Sequence, residues 1–433
     1  MDAEKKIKGF SKLSASEKRK IIAETCLGNA KRINEFEKFH FTDKELQNQF
    51  EKFSENTLSN HALPLGVIPN MLIDGQLYHV PAVVEESSVV AAASKAASFW
   101  YERGGFKTFA SESLKNGQVY FEWNGNLDWL FEHKHRLYEF LGAVTAELTQ
   151  NMVRRGGGIR NFILVPLKEL SENSMKLTIE VNTADSMGAN FINSVLEAIA
   201  VALPQFASEN QQPAPEVLMA ILSNFTPGNY VTLQVETDVE QMTWSKEFSS
   251  DQFVRRFIKA MDIAKTDVSI AVTHNKGVMN GADAVVLATG NDFRAAEAAA
   301  HAYAATNGSY TSLSDAGIVD GKFWMNLTMP IALGTVGGLT RLHPTAALAL
   351  EMLGNPGADE LMKIVTAAGF ANNFAAVASL VTTGIQKGHM KLHLDNILSS
   401  ENATNAQCVA AKKYFDDKTV SVNAVREFLS NNQ

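Results

Sequence analysis

Several short stretches of this 433-residue chain place acids, amines and imidazoles where they could move protons or steady an oxyanion. Glu85-Glu86-Ser87-Ser88 stands just ahead of an alanine-rich helical run, where acidic and hydroxyl residues also serve as ordinary helix caps. Asp292, in ATGND before the next alanine-rich run, has the same two readings. Lys276, in THNKGVMNG, reads as a turn lysine between Asn275 and Gly277. Were it buried, its ammonium would be a strong stabiliser of negative charge developing on oxygen. His389 and His393 are four apart and share a face on a helix, as metal ligands do, but Met390 follows where HExxH carries glutamate. No third ligand is evident, so surface histidines are the default and no metal is expected. Asp185-Ser186-Met187-Gly188-Ala189-Asn190 joins a strand to a helix. It is either a plain N-cap or an anion site built on free N–H groups and the helix dipole. Gly334, Gly337 and Gly338 either let a ligand approach the backbone or shape a turn. Neither GxGxxG nor GxxxxGK[ST] occurs, so a Rossmann fingerprint and a P-loop are both unsupported.

The elements that must carry these residues follow from pattern. Asp74-Gly75 between apolar runs signals a hairpin, and VVAAASKAASFWYERGG a helix stopped at Gly104-Gly105. FASESLKNGQVYFEW reads as two strands about Asn116-Gly117. Leu137, Leu141, Val144, Leu148 and Met152 give Trp129 to Arg155 an amphipathic helix. NFILVPL and MKLTIEVNTA read as strands and MGANFINSVLEAIAVAL as a helix, an order ββαββα compatible with a split, ferredoxin-like β-α-β unit. The linker SENQQPAPE, 208 to 216, closes that region. Beyond it come a strand YVTLQVETDV, a helix FVRRFIKAMDIAK, a strand DVSIAVTHN, the helix FRAAEAAAHAYAAT and a polar helical tail.

Composition narrows the class. With 39 basic and 47 acidic side chains the net charge is −8, which argues against a nucleic-acid partner. Cys26 and Cys408 are too few for a disulfide framework and suit a reducing cytosol. The charged start MDAEKKIKGFSK lacks an apolar signal core, and the uncharged run from Phe323 to Thr340 holds too many polar and helix-breaking residues to span a membrane.

In wording and order, VVEESSVVAAAS, DSMGAN, THNKGVMNGADAVVLATGNDFRAAEAAAHAYA, GTVGGLTRLHP and GIQKGHMKLH closely resemble class II 3-hydroxy-3-methylglutaryl-coenzyme A reductases. The resemblance runs from about Leu63 to Asn396 and is densest between Thr273 and Ala305. It implies an α+β fold: a helical large domain with a central hairpin and strands, an inserted small ferredoxin-like (non-Rossmann) dinucleotide-binding domain, and a mobile C-terminal helical flap. The boundaries expected are 1–110 and 221–380 for the large domain, 111–220 for the small one and 381–433 for the flap. The implied reaction is four-electron reduction of 3-hydroxy-3-methylglutaryl-CoA to mevalonate and CoA with two NADPH or NADH and no metal. A cytoplasmic homodimer or higher homo-oligomer with active sites between subunits is implied, with no membrane or nucleic-acid partner. The resemblance puts catalysis at Glu86, Lys276, Asp292 and His389, with Asp292 orienting Lys276. It puts cofactor binding at Asp185, Met187, Gly188 and Asn190, and acyl-group binding at Ser88, Asn280 and Asn373.

Departures from the family pattern are local. Ile270 stands where members carry an arginine for the substrate carboxylate, and Ser87 where proline follows the glutamate. GLAQN is written GFANN over Gly369 to Asn373, Ala378 replaces an arginine, and the dimer-associated ENVxG is reduced to Glu55-Asn56-Thr57-Leu58-Ser59. Two alternatives therefore stay open: a related acyl-CoA thioester reductase with another acyl group, and a non-catalytic CoA-binding homologue. Glu169 and Lys168 compete for the position facing the ribose 2′-oxygen, and they imply opposite preferences between NADH and NADPH.

Overall fold

Reciprocal capping starts the chain's first long helix: Ser14 and Glu17 satisfy each other's backbone N–H groups at the head of α1 (Ala15–Thr25). The structure is a computed structural model that describes residues 6–382, 384, 394–395, 397–415, 418 and 420–432. It divides into two units, Met1–Pro64 and Leu65–Gln433. In the first, α2 (Ile33–Glu37) and α3 (Lys44–Phe50) join α1, and Arg19 bonds Glu51 at 2.9 Å.

In the second unit, Asp74 and Gly75 both take positive φ, as the expected tight hairpin requires, between β1 (Leu65–Ile73) and β2 (Gln76–Val83). Helix α4 (Ser87–Tyr101) follows. The next two strands, β3 (Lys107–Ser113) and β4 (Lys115–Glu122), do not turn at Asn116-Gly117 as the sequence suggests. They part at Leu114 and enter different sheets. Gly117 lies inside β4 because a Cβ there would overlap Leu196 and Ile192, so this glycine serves helix-on-sheet packing.

After β4 come α5 (Leu127–Glu132), α6 (Lys134–Arg154), β5 (Gly158–Pro166), β6 (Ser174–Asn182), α7 (Ala189–Glu209) and β7 (Glu216–Leu222). The single helix expected from Trp129 is thus two, broken at His133. The polar linker does not end the region, because β7 returns to pair with β4. All pairs in this sheet, ordered β5-β6-β4-β7, are antiparallel. The element order is β-α-β-β-α-β, which corrects the ββαββα reading: β3 belongs elsewhere and the last strand was hidden behind Pro213 and Pro215. Leu137, Leu141, Leu177, Val195 and Ile199 help fill a core distinct from that of the larger body.

The larger body adds β8 (Asn229–Asp238), α8 (Ser250–Thr266), α9 (Val268–Ala288), α10 (Phe293–Ala304), β9 (Ser314–Val319) and β10 (Lys322–Pro330). Its antiparallel sheet runs β3-β8-β10-β9. Short helices α11 (Leu339–Leu342) and α12 (Pro344–Met352) lead to α13 (Ala358–Leu380), which is apolar nearly all round and buried in the middle. The expected strand DVSIAVTHN is instead the opening of α9. Asp267 caps it by accepting from the N–H groups of Ser269 and Ile270, and tertiary packing overrides the β-branched alternation. By length and composition α7 and α13 could each cross a bilayer; here both pack within the two cores. In the tail, α14 (Asn405–Tyr414) and α15 (Val422–Asn431) gather Leu394, Leu398, Phe415 and Phe428 into a small third cluster.

Candidate active site

Glu86 occupies the N-cap position of α4 yet makes no side-chain cap bond. Its carboxylate is left for other partners. Oε1 accepts from Ser88 Oγ at 3.0 Å, and Oε2 meets Lys276 Nζ at 3.5 Å. Lys276 is therefore a helix residue of α9, not a turn residue, and its side chain is 63% exposed beside a glutamate at 41%. A pair this exposed contributes little to stability, so both groups are free to trade each other for a substrate. Asn280, one turn along α9, shares the face of Lys276 and is half-buried.

Two asparagines of α13 fix this part of α9. Asn372 Nδ2 donates to the carbonyl of Gly277, and Asn373 Nδ2 to that of His274 at 3.0 Å. Asn373, 1% exposed, also accepts from Ser314 Oγ at 3.2 Å. Its amide is thus committed inside the protein rather than directed at an acyl group. Ser314 in turn meets His274 Nε2 at 2.6 Å, and burial pulls that imidazole down to about 4, leaving it neutral at pH 7. Close crossing of the two helices depends on glycine: a Cβ on Gly281 would overlap the carbonyl of Ala368.

A second cluster forms at the other end of α9. Asp292 does what a plain N-cap does, accepting from the N–H groups of Arg294 and Ala295, and it also meets Arg294 Nε at 3.2 Å. Its neighbour Asn291 accepts from Gly334 N at 2.9 Å. Gly334 abuts the DSMG turn so closely that a Cβ would overlap Met187 N, and Thr335 N donates to Asp185 O at 2.9 Å. Asp185 Oδ1 accepts from Ala358 N at 2.9 Å, which ties its carboxylate to the head of α13. Gly188, at φ 84, caps α7 with no side-chain bond, and Thr183 fills the space a Cβ would need. The 21-residue α7 thus begins with first-turn N–H groups free of a side-chain cap, a cradle suited to an anion such as a pyrophosphate. Asn190 lies in that first turn.

The two clusters are far apart. At about 1.5 Å rise per residue, Lys276 and Ala288 stand about 18 Å apart along α9. Antiparallel α13 spans about 21 Å between its two contacts by the same rise, with Asn372 and Asn373 at the Lys276 end and Ala358 at the Asp185 end. One chain therefore brings Glu86, Ser88, Lys276 and Asn280 together, and separately Asp292, Asn291, Gly334 and the DSMG turn. It does not bring Asp292 to Lys276. His389 and His393 lie outside the described residues.

Two features escaped the sequence reading. Asp283 continues the stripe of Lys276 and Asn280 and meets Glu297 of α10; burial, then this second carboxyl, pushes its pKa up to about 8, so the pair holds a proton near neutrality. The spacing 276, 280, 283 was the available signal. Lys115, at the start of β4, lies buried beneath the DSMG turn, and a lone strand lysine gives no such signal.

Comparison with known proteins points to one family. Residues 14–394 match the family model described as hydroxymethylglutaryl-coenzyme A reductase. A 3-hydroxy-3-methylglutaryl-coenzyme A reductase of Archaeoglobus fulgidus is 34% identical, with 92% of this chain and 88% of that one aligned. A probable reductase of the same name from Borreliella burgdorferi is 32% identical over 90% and 88%. The solved reductase of Streptococcus pneumoniae superposes with a TM-score of 0.71 at 33% identity, covering 98% of this chain and 99% of that one. A class II structure from the same organism, bound to NADPH in open conformations, gives 0.70 at 33% identity over 87% and 99%.

Proposed function

The chain belongs to the hydroxymethylglutaryl-coenzyme A reductase family, and from that premise we propose how its residues divide the work. It is an NAD(P)H-dependent oxidoreductase that reduces 3-hydroxy-3-methylglutaryl-CoA to mevalonate and CoA in isoprenoid precursor synthesis. The observation that carries the residue assignment is the exposed Glu86–Lys276 pair, a carboxylate withheld from capping and set against an ammonium.

The dinucleotide, when bound, supplies a hydride in each of two steps. The first addition to the thioester carbonyl leaves an oxyanion, which Lys276 Nζ stabilises by charge and hydrogen bonding. Collapse expels a CoA thiolate, and His389 delivers the proton that speeds its departure. In the second step the aldehyde oxygen gains negative charge again beside Lys276, and Glu86 supplies its proton. Ser88 and Asn280 hold the acyl group from the same face. Asn373 acts through the backbone of His274, setting the position of α9.

Asp292 orients Lys276 from a second copy of the chain. The separation along α9 supports this reading, since the two residues of one copy are out of reach of each other, whereas a two-fold partner can lay one end of its α9 beside the other. On this reading the homodimer is the catalytic unit and its place is the cytosol. The β-α-β-β-α-β unit within 111–220 and its β7 is the ferredoxin-like dinucleotide domain, with Met187, Gly188 and Asn190 at the cofactor and Asp185 bracing the turn. The large domain is assigned 221–380 with the part of 1–110 that lies in the second unit, and 381–433 is assigned the role of the flap. Either Lys168 or Glu169, both exposed in the turn after β5, faces the ribose.

Ile270 is 42% exposed six residues before Lys276, and it offers no donor to the substrate's distal carboxylate. Steady-state NADPH and NADH oxidation with 3-hydroxy-3-methylglutaryl-CoA tests both function and recognition. Wild type and Ile270→Arg should each oxidise two dinucleotides per thiol released. The arginine should lower KM more than it changes kcat, because the carboxylate is present in ground and transition states alike. Thiol release without that stoichiometry sinks the four-electron reading. An unchanged KM means another cation already holds the carboxylate.

A further inference from the structure

Lys115 is 5% exposed at the first position of β4. Its Nζ donates to Thr183 Oγ1 at 2.6 Å and to Ser186 O at 2.8 Å, and Thr183 Oγ1 itself donates to Ser186 O at 2.6 Å. The ammonium is thus tied to the two ends of the turn that carries Asp185. Its hydrogen-bond partners are a neutral hydroxyl and a carbonyl. The carboxylate that acts on it, Asp359 at the head of α13, does so through space and is itself bonded by Ser113. Burying an ammonium with so little compensation is costly, and burial accordingly draws its pKa down to about 8. A purely apolar residue of similar length would hold a structural position more cheaply. A charge kept here has a use outside the fold's own stability.

That use is set by what lies above it. The turn is held in an unusual shape: Ala184 takes φ 47, Gly188 takes φ 84, and Thr183 packs where a Cβ on Gly188 would go. Lys115 lines a small cavity together with Met187, Thr226 and Ala189, the first residue of α7. The N-terminal end of α7 already carries the positive pole of its helix. In a poorly solvated interior the field of a nearby fixed charge is weakly screened.

We propose that Lys115 is a buried positioning residue for the dinucleotide, holding the Thr183–Gly188 turn and adding positive charge beneath the phosphates that bind at the head of α7. This rests on the reading of Met187, Gly188 and Asn190 as the cofactor cradle. Lys115 does not touch the ligand; it acts through the turn and through its field.

The test is direct titration of the full-length enzyme with NADPH, followed by fluorescence, together with steady-state kinetics and thermal unfolding. Lys115→Met should raise the Kd and KM for NADPH roughly tenfold, leave kcat at saturating NADPH near wild type, and leave the melting temperature equal or higher. Lys115→Gln, which keeps a donor but no charge, should lose nearly as much affinity, and Lys115→Arg should regain most of it. Wild-type affinity in Lys115→Met and Lys115→Gln overturns the inference, as does a loss of kcat and melting temperature with affinity intact. Gly188→Ala separates the two levels, since its Cβ must displace Thr183 and distort the cradle itself. If Gly188→Ala weakens NADPH binding and Lys115→Met does not, only the role of Lys115 is wrong. If neither does, the cradle is elsewhere.

Discussion

Lys276→Ala should abolish reduction of both the CoA thioester and added mevaldehyde, with loss on the order of 10²-fold or more in kcat, the range for removing one oxyanion-stabilising donor. Both substrates fail because each hydride addition builds charge on an oxygen at the same place. The variant should still fold. The ion pair it removes is exposed on both sides, and such pairs contribute little to stability, so the melting temperature should barely move. That split between intact fold and lost chemistry is the signature expected of a group held in reserve for substrate. Near wild-type turnover in a folded Lys276→Ala enzyme would remove Lys276 from the mechanism.

His389→Gln should divide the two reactions that Lys276→Ala treats alike. Departure of the thiolate needs a proton, and loss of a positioned general acid costs about 10²- to 10⁴-fold. Mevaldehyde has already parted from its thiol, so its reduction should be far less damaged. Single-turnover measurements with each substrate would read the difference directly. Equal damage to both reactions would assign His389 a general role in shaping the site.

Much of this site was legible because its motifs are short and lie next to element boundaries. Asp74-Gly75 gave the hairpin, and the order of Glu86, Asp185–Asn190, Lys276 and Asp292 along the chain carried the family resemblance. The failures have physical causes. Val268, Ile270 and Val272 alternate as a strand would, yet Asp267 caps a helix there and α13 holds it through Asn372 and Asn373. Gly117 looked like a turn glycine and proved to be a packing glycine under α7. Pro213 and Pro215 looked like the end of a region and merely preceded its edge strand. The misreading of α9 had the largest consequence. With Lys276 in a turn, Asp292 could be imagined beside it; with both ends of one continuous helix in place, it cannot reach from the same chain. Lys115 is invisible in the sequence for another reason, since its significance comes from burial and from partners distant along the chain, whereas Asp283 is signalled only by its spacing from Lys276 and Asn280.

The division of the site between copies can be measured by pairing two dead enzymes. Lys276→Ala and Asp292→Ala chains, carrying different affinity tags and co-expressed, would be purified as mixed dimers through both tags in turn. If Lys276 of one copy works with Asp292 of the other, a mixed dimer has one site with both residues altered and one with both intact. It should then recover about half of wild-type activity, as expected for one working site of two in a two-fold dimer. The parent variants, assayed alone, should remain inactive. Mixed dimers as inactive as their parents would mean that both residues act within one chain, and would contradict the account.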